Sequence, residues 1–434
     1  MGETACTAAA AAADTAVGSG TGLSPLASAR ETVANLLCLP DDDLLAADYI
    51  IAVVISNAWT PDADPLWGWL IAPPGSYKTE ILRTLEGYPS VHYLSSLSQC
   101  ALVSGYDTGD DDDKSLLPHL HRKVLTIKDF TAILSQPDNT IRQIFGDLRD
   151  AYDGSYAKHF GTVGERRYTS KFGILAAVTP AIDQLVYQHV ILGERFLSLR
   201  LCKHLRARPH ARLAMLRHVR RAMSHKTSWR KQLSSSVQGA ITAALRAVPS
   251  EIIVPDSIDE QLVCIADLVA NFRALPAIVK ARAADDHHSD LEPELGSRLV
   301  NQLTNLAFAR CVADGRDTLN DTDMSLVRRV ALDTLPPTAA LVAIALFGGS
   351  STGHFLGIRT LSKATTIPVK HLKAILTQYL SAGLVEVRSA ASAAECDTCT
   401  AAADAYWRLS PHTLELFNIS HLIPSPETAE APHA

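Results

Sequence analysis

Two kinds of apolar pattern run through the chain. Apolar runs at Trp67–Ile71 and Val124–Ile127 predict buried strands, and Val91–Leu97 and Phe172–Val178 predict two further strands. Around them, apolar residues recur at helical spacing. Pro25–Leu39, Asp41–Trp59 behind an acidic start, Glu80–Leu85 and Ile141–Tyr152 therefore predict helices. The polar, Gly-rich stretch DGSYAKHFGTVGERRYT, Asp153–Thr169, predicts a hairpin. Strands that alternate with helices predict an α/β layer structure. The pattern then changes. Leu341–Phe347 and Thr360–Thr365 predict two helices, and Ile367-Pro368 a turn. Val369–Ala382 predicts a longer helix with Leu372, Ile375, Leu376 and Leu380 inward, stopped by Gly383. LVEV and Tyr406–Leu409 predict a strand pair. Helix, turn, helix and hairpin make the winged-helix arrangement, whose second helix commonly enters the DNA major groove. Lys370, His371, Lys373, Thr377 and Gln378 are expected on its outer face; many such domains bind protein instead.

The first strand leads into the chemistry. WGWLIAPPGSYKTE, Trp67–Glu80, places a Pro/Gly turn and Lys78-Thr79 between a strand and a helix, as in a phosphate-binding loop. In the turn Pro74–Glu80, the backbone N–H groups from Gly75 onward would hold phosphate oxygens, Lys78 would reach the outer phosphates, and Thr79 would hold Mg²⁺. Against the pattern G-x-x-x-x-G-K-[ST], Ala72 stands at the first Gly and Tyr77 at the second, while Gly75 is kept. The strand at Val124–Ile127 runs into Asp129, a second candidate for Mg²⁺. The next residue, commonly a Glu that orients the attacking water, is Phe130; Asp150, Asp153 or Glu165 could substitute. Thr179 ends the next strand, where a polar side chain can touch the γ-phosphate.

Composition changes the picture locally. The 434 residues carry 40 Lys+Arg and 46 Asp+Glu, net −6, so no global excess marks a nucleic-acid binder. Yet Arg195–Ser250 holds thirteen Lys/Arg and no acid. Leu205, Leu213, Leu216 and Val219 give that segment an apolar stripe. Arg206, Arg208, Arg212, Arg217, Arg220 and Arg221 would crowd the other faces and attract nucleic-acid phosphates. Pairing with Asp285, Asp286 and Asp290 is the alternative. The eight cysteines are scattered, which suits a reducing cytoplasm, and Cys396-x-x-Cys399 lacks further ligands. No run reaches the ~18 apolar residues of a membrane span. His287-His288 and the acids Asp107–Asp113 suit solvated loops. The Ala-rich residues 1–24 lack a basic leader and predict a loose tail, as do residues 421–434.

The order of parts resembles the AAA+ ATPases, and among them the minichromosome-maintenance helicase-like clade: phosphate loop, strand-Asp, helix, hairpin, polar strand end, then LGERF. That resemblance implies an αβα sandwich over residues 25–200, a helical basic and lid region over 201–336, and a winged-helix domain over 337–420. It also implies ATP and Mg²⁺ as cofactors. Arg195 sits where the clade has an arginine finger acting on a neighbouring subunit, although a structural Arg at a helix end is an equal alternative. Arg298, in GSRLVNQL, takes the place of the lid arginine. The implied protein is a homo-oligomer, a head-to-tail and hexameric ring, that couples ATP hydrolysis to DNA remodelling or translocation. Lys158 in the hairpin, Arg217, Arg220 and Arg221, and Lys370 and Lys373 would touch DNA. The alternative function is a DNA-binding regulator or loader that uses nucleotide as a switch.

Overall fold

A computed structural model describes residues 24–59, 63–98, 100–105, 114–161, 164–184, 195–203, 208–222, 225–281, 295–388 and 405–424. The chain forms two compact units. The first takes in Met1–Val254 and Thr304–Leu326, the second Pro255–Leu303 and Val327–Ala434.

The first unit opens with helices α1 (Pro25–Leu37) and α2 (Leu45–Trp59). Ser24 caps α1, its hydroxyl accepting from the Ala27 N–H, with proline at the first helical position. The sheet region follows as β1 (Trp67–Ile71), α3 (Lys78–Arg83), β2 (Val91–Leu94), β3 (Val124–Ile127), α4 (Thr131–Leu134) and α5 (Asp138–Tyr152). It continues with β4 (Ser155–Phe160), β5 (Gly164–Thr169), β6 (Gly173–Val178) and β7 (Phe196–Arg200). Five strands form one parallel sheet in the order β2-β3-β6-β1-β7, and β4 and β5 form a separate antiparallel hairpin. The strands read from the apolar runs are all present. The sequence reading missed β7, whose first residue, Phe196, is the last of the LGERF motif.

Both faces of β1 are buried. Trp67, Trp69 and Ile71 enter a core with Phe130, Phe145 and Phe196. Trp69 stacks on Phe196 at 4.0 Å and meets Phe130 edge-on at 4.7 Å. On the other face α2 comes so close that a Cβ on Gly68 would lie 2.3 Å from the Tyr49 hydroxyl. That hydroxyl donates to the Leu197 carbonyl at 2.9 Å, so glycine at 68 is a requirement of close packing.

Two more helices belong wholly to this unit, α6 (Pro209–Ala222) and α7 (Lys226–Arg246). The unit boundaries differ from the division at residue 200 expected from sequence. The reason is physical: α7 turns Trp229, Leu233, Val237 and Ile241 inward, and its Ser236 bonds Thr32 of α1 at 3.1 Å. Next come α8 (Asp256–Ala281), α9 (Ser297–Ala313) and α10 (Asp321–Thr334), with α9 and α10 divided between the units. Arg310 of α9, 2 % exposed, donates to Asp323 at 2.8 Å and lies 3.4 Å from Asp48 of α2; both acids are fully buried. Arg30 caps the same Asp48 from α1, and Arg316 the same Asp323 at 2.6 Å.

The second unit adds α11 (Pro337–Ser350), β8 (Leu356–Gly357), α12 (Ile358–Thr365), α13 (Val369–Ser381), β9 (Val385–Arg388), β10 (Tyr406–Leu409) and α14 (Pro411–Ser420). The three strands form an antiparallel sheet ordered β8-β10-β9. Phe272 of α8 meets Tyr379 at 4.9 Å and Phe417 at 5.7 Å in its core. On α13, Leu372, Ile375 and Leu376 point inward as expected, but Leu380 is exposed and Gln378 is buried. The apolar C-terminal turn therefore rotates one step away from the predicted face. Among the described residues no single helix is long and apolar enough to cross a membrane.

Replacing Arg310 by Ala leaves Asp48 and Asp323 buried with too little positive charge. We expect a loss of about 3–5 kcal/mol, read as a lower urea midpoint, with Lys at 310 recovering part of it.

Candidate functional site

All five strands of the large sheet run parallel, so their C-terminal ends emerge at one edge. The turn after β1 begins with the Ala72 N–H donating to the Val178 carbonyl at 3.1 Å. The Ser76 hydroxyl donates to Pro73 O across the turn at 2.5 Å. Pro74 and Gly75 are exposed at its crest. Gly75 has φ +80° and Tyr77 has φ +62°, both left-handed. Tyr77 thus takes the conformation that a glycine adopts freely, at a cost on the order of 1–2 kcal/mol. Its hydroxyl is buried and has no hydrogen-bond partner among the described residues, and burial pushes the phenol up to about 12, so it stays neutral.

α3 starts at Lys78, directly behind Tyr77. A cavity of about 280 Å³ is lined by Gly75, Ser76, Tyr77, Lys78, Thr79 and Glu80, and on its far side by Val219, Lys226 and Trp229. The tyrosine ring lines this space and does not fill it. Burial pulls the Lys78 ammonium below the usual lysine range, and the Asp129 carboxylate acts in the opposite direction. The turn after β1 and the acid after β3 therefore share an electrostatic field, although β6 lies between their strands.

Thr131 is a participant that the sequence reading missed. Its N–H donates to Asp129 Oδ1 at 3.1 Å, and its hydroxyl accepts from the Thr179 N–H at 3.1 Å. It joins the end of β3 to the end of β6 and orients Asp129. A threonine two residues after a strand-end acid is the only trace in the sequence. Thr79 and Asp129 supply hard oxygen donors. Among the described residues no group of three His, Cys, Asp or Glu forms a metal cage, so a Mg²⁺ here would draw on phosphate and water oxygens too.

Several predicted roles change. Phe130 is fully buried between Trp69 and Phe145, so position 130 faces the core and offers nothing to the cavity. Glu80 lines the cavity, but its carboxylate is held by Arg230 at 2.8 and 2.5 Å and is not a phosphate-side group. Arg195 is 8 % exposed with its guanidinium 5.2 Å over the Tyr152 ring. A finger that reaches a neighbour's phosphate needs an exposed arginine, so Arg195 is a core residue here. Lys158 is neutralised by Asp147 at 2.9 Å, because Asp147 on α5 lies beneath the hairpin. The stripe expected on α6 is reversed: Leu213, Leu216 and Val219 are 48, 56 and 41 % exposed, while Met215 is buried and His218 bonds the Leu36 carbonyl.

Other predicted residues keep an outward placement. Arg212, Arg217 and Arg220 are exposed on α6. Elsewhere in the basic segment Arg200 pairs with Asp183 and Arg208 with Asp42. In the second unit Lys370 and Lys373 are exposed on α13, and Arg298 is half-buried in the first turn of α9. The Arg221 side chain, Leu205, Arg206, Asp107–Asp113, Asp285, Asp286, Asp290, His287-His288, Cys396 and Cys399, and both tails beyond 24 and 424 lie outside the described residues.

No protein-family profile matches this chain, and no curated protein matches it either.

Phe130→Glu would drive a carboxylate between Trp69 and Phe145. We expect it to destabilise the fold by several kcal/mol in thermal unfolding and to add no phosphate release, because that side chain faces away from the cavity. The Glu80 pair has its own pH signature. Arg230, with help from Arg83 and Lys226, holds Glu80 below the usual carboxylate range against the opposing effect of burial. Its contribution is present above the unfolded pKa near ~4.3 and is lost as pH falls through the lower folded value. Melting curves of wild type and Glu80→Gln should therefore converge below about pH 4 and separate above pH 5.

Proposed function

We propose that this chain is a phosphate-loop nucleotide-binding protein of AAA+ type that takes ATP with Mg²⁺ at the turn between β1 and α3 and acts on DNA. The observation that carries the reading is the cavity walled by Gly75, Ser76, Tyr77, Lys78, Thr79 and Glu80, set where β1 leaves the C-terminal edge of a parallel sheet. The strand order supports it. From β1 the chain passes to β2 at the far edge, returns through β3 and β6, and then crosses β1 to reach β7. Connections thus depart on both sides of β1, and ligands of open α/β sheets bind outside the strand ends at such a reversal. Backbone N–H groups of Gly75–Thr79 would receive phosphate oxygens, Lys78 would neutralise the outer phosphates, and Thr79 and Asp129 would share Mg²⁺. Thr179, tied to Thr131, would face the terminal phosphate.

DNA enters through charge. Arg212, Arg217 and Arg220 have no ion-pair partner among the described residues and are the electrostatic footprint in the first unit. In the second unit α12 and α13, with the sheet β8-β10-β9, support a winged helix whose Lys370 and Lys373 contact phosphates. A head-to-tail ring belongs to this reading, with its finger supplied by a residue other than Arg195.

A second reading is favoured by Phe130 and Arg195, both withdrawn into the core. It is a DNA-binding switch that changes state on nucleotide binding and turns over slowly. The test is phosphate release by the purified full chain with and without DNA, beside Lys78→Ala. DNA-stimulated release lost in Lys78→Ala supports the motor. Binding without release, with a nucleotide-dependent change in DNA affinity, supports the switch. Neither binding nor release rejects both. For the footprint, Arg217→Ala/Arg220→Ala should weaken DNA binding at every sequence and lower the salt slope by about one per lost contact.

A further inference from the structure

The far wall of the cavity comes from α6 and α7, about one hundred and fifty residues along the chain. Lys226 is the first residue of α7, lines the cavity with the phosphate turn, and has a half-exposed side chain. Its Nζ lies 3.8 Å from Glu80 Oε1, an ion-pair distance but too long for a hydrogen bond. The same carboxylate is gripped from two directions by Arg230, at 2.8 and 2.5 Å, and approached by Arg83 at 3.7 Å. One acid thus faces three cations, with Lys78 immediately before Thr79 on the same helix. Arg230 saturates the good geometry, and Lys226 is left close, charged and unbonded to Glu80. The local surplus is positive and lies on the cavity wall, which is what a polyanion needs.

We propose that Lys226 is a phosphate-binding residue of this site and that Glu80 is its resting partner, an internal anion that the nucleotide phosphates displace. The inference rests on the turn being the nucleotide site. Its physics is an exchange: Lys226 leaves a weak, partly solvated pair for a phosphate oxygen, while Arg230 stays on Glu80. The exchange would draw the start of α7 towards the turn when nucleotide binds. The apolar Val219 and Trp229 beside Lys226 would be drawn with it.

The test is calorimetric titration of the full chain with Mg-ATP and with Mg-ADP. Lys226→Gln should weaken binding about tenfold, the worth of one charge-assisted bond. Lys226→Arg should restore most of it, and the melting temperature of both should match wild type. Glu80→Gln should tighten binding, because the competing anion is gone, and that gain should shrink in the Glu80→Gln/Lys226→Gln double variant. Lys226→Gln that binds like wild type while Lys78→Ala fails to bind would overturn the proposal and leave the nucleotide site standing. Equal weakness of Lys226→Gln and Lys226→Arg with unchanged melting would overturn it too. Wild type that binds no more than Lys78→Ala would defeat the nucleotide reading itself.

Discussion

Parallel pairing of β1, with β6 on one side and β7 on the other, is the constraint on which the rest depends. Trp67↔Ile174 and Trp67↔Phe196 start those ladders, and Ile71↔Val178 and Ile71↔Arg200 end them. Because β3 joins the same sheet with Ile127 opposite Ala176, three chain ends arrive at one edge within a residue or two. The turn, Asp129 and Thr179 meet there for reasons of register, before any of their own chemistry is considered. Sealing both faces of β1 holds that register. A slip by one residue would push Trp67 and Trp69 against α2, where Tyr49 leaves no room even for a Cβ.

Most of the sheet was legible because β1 and β6 are buried on both faces and carry short apolar runs bounded by turn residues, whereas β7, interrupted by Ser198, gave no such run. The strand–turn–helix at Trp67–Glu80 was legible because Pro73, Pro74 and Gly75 interrupt the apolar run ahead of a helical pattern that starts at Lys78. Depth was not legible. Arg195 follows a motif that suggests exposure, yet Tyr152 covers its guanidinium from α5. Leu213, Leu216 and Val219 have the spacing of an inward stripe, and so do Met215 and His218 one or two positions over. Only the partner surface decides between them, and α1, with its Leu36 carbonyl, takes the second set. Pairings over long separations were likewise hidden, Glu80 with Arg230 and Asp48 with Arg310, and so was the nearer pair of Lys158 with Asp147.

Two residues that depart from the pattern expected of a phosphate loop, Tyr77 and Phe130, have different structural meanings. Tyr77 keeps the left-handed turn that its backbone position demands, with a modest conformational cost, and leaves the cavity open. Phe130 is a deeper change. Its ring is shared by Trp69 of the strand beneath the turn and by Phe145 of α5, so the position has been given to packing. The neighbouring Thr131 keeps a polar link between Asp129 and Thr179. Polar groups thus stay around the turn, while position 130 stabilises the core.

Four of the five tryptophans are buried, but in different parts of the molecule, and this gives it a built-in optical gauge. Trp67 and Trp69 are sealed within the aromatic core, where their emission would track the integrity of the sheet. Trp229 borders the cavity, so its indole senses whatever enters beside the turn. Trp407 belongs to the second unit and would register events there. Site filling and loss of either unit thus carry separable fluorescence signatures without any added dye.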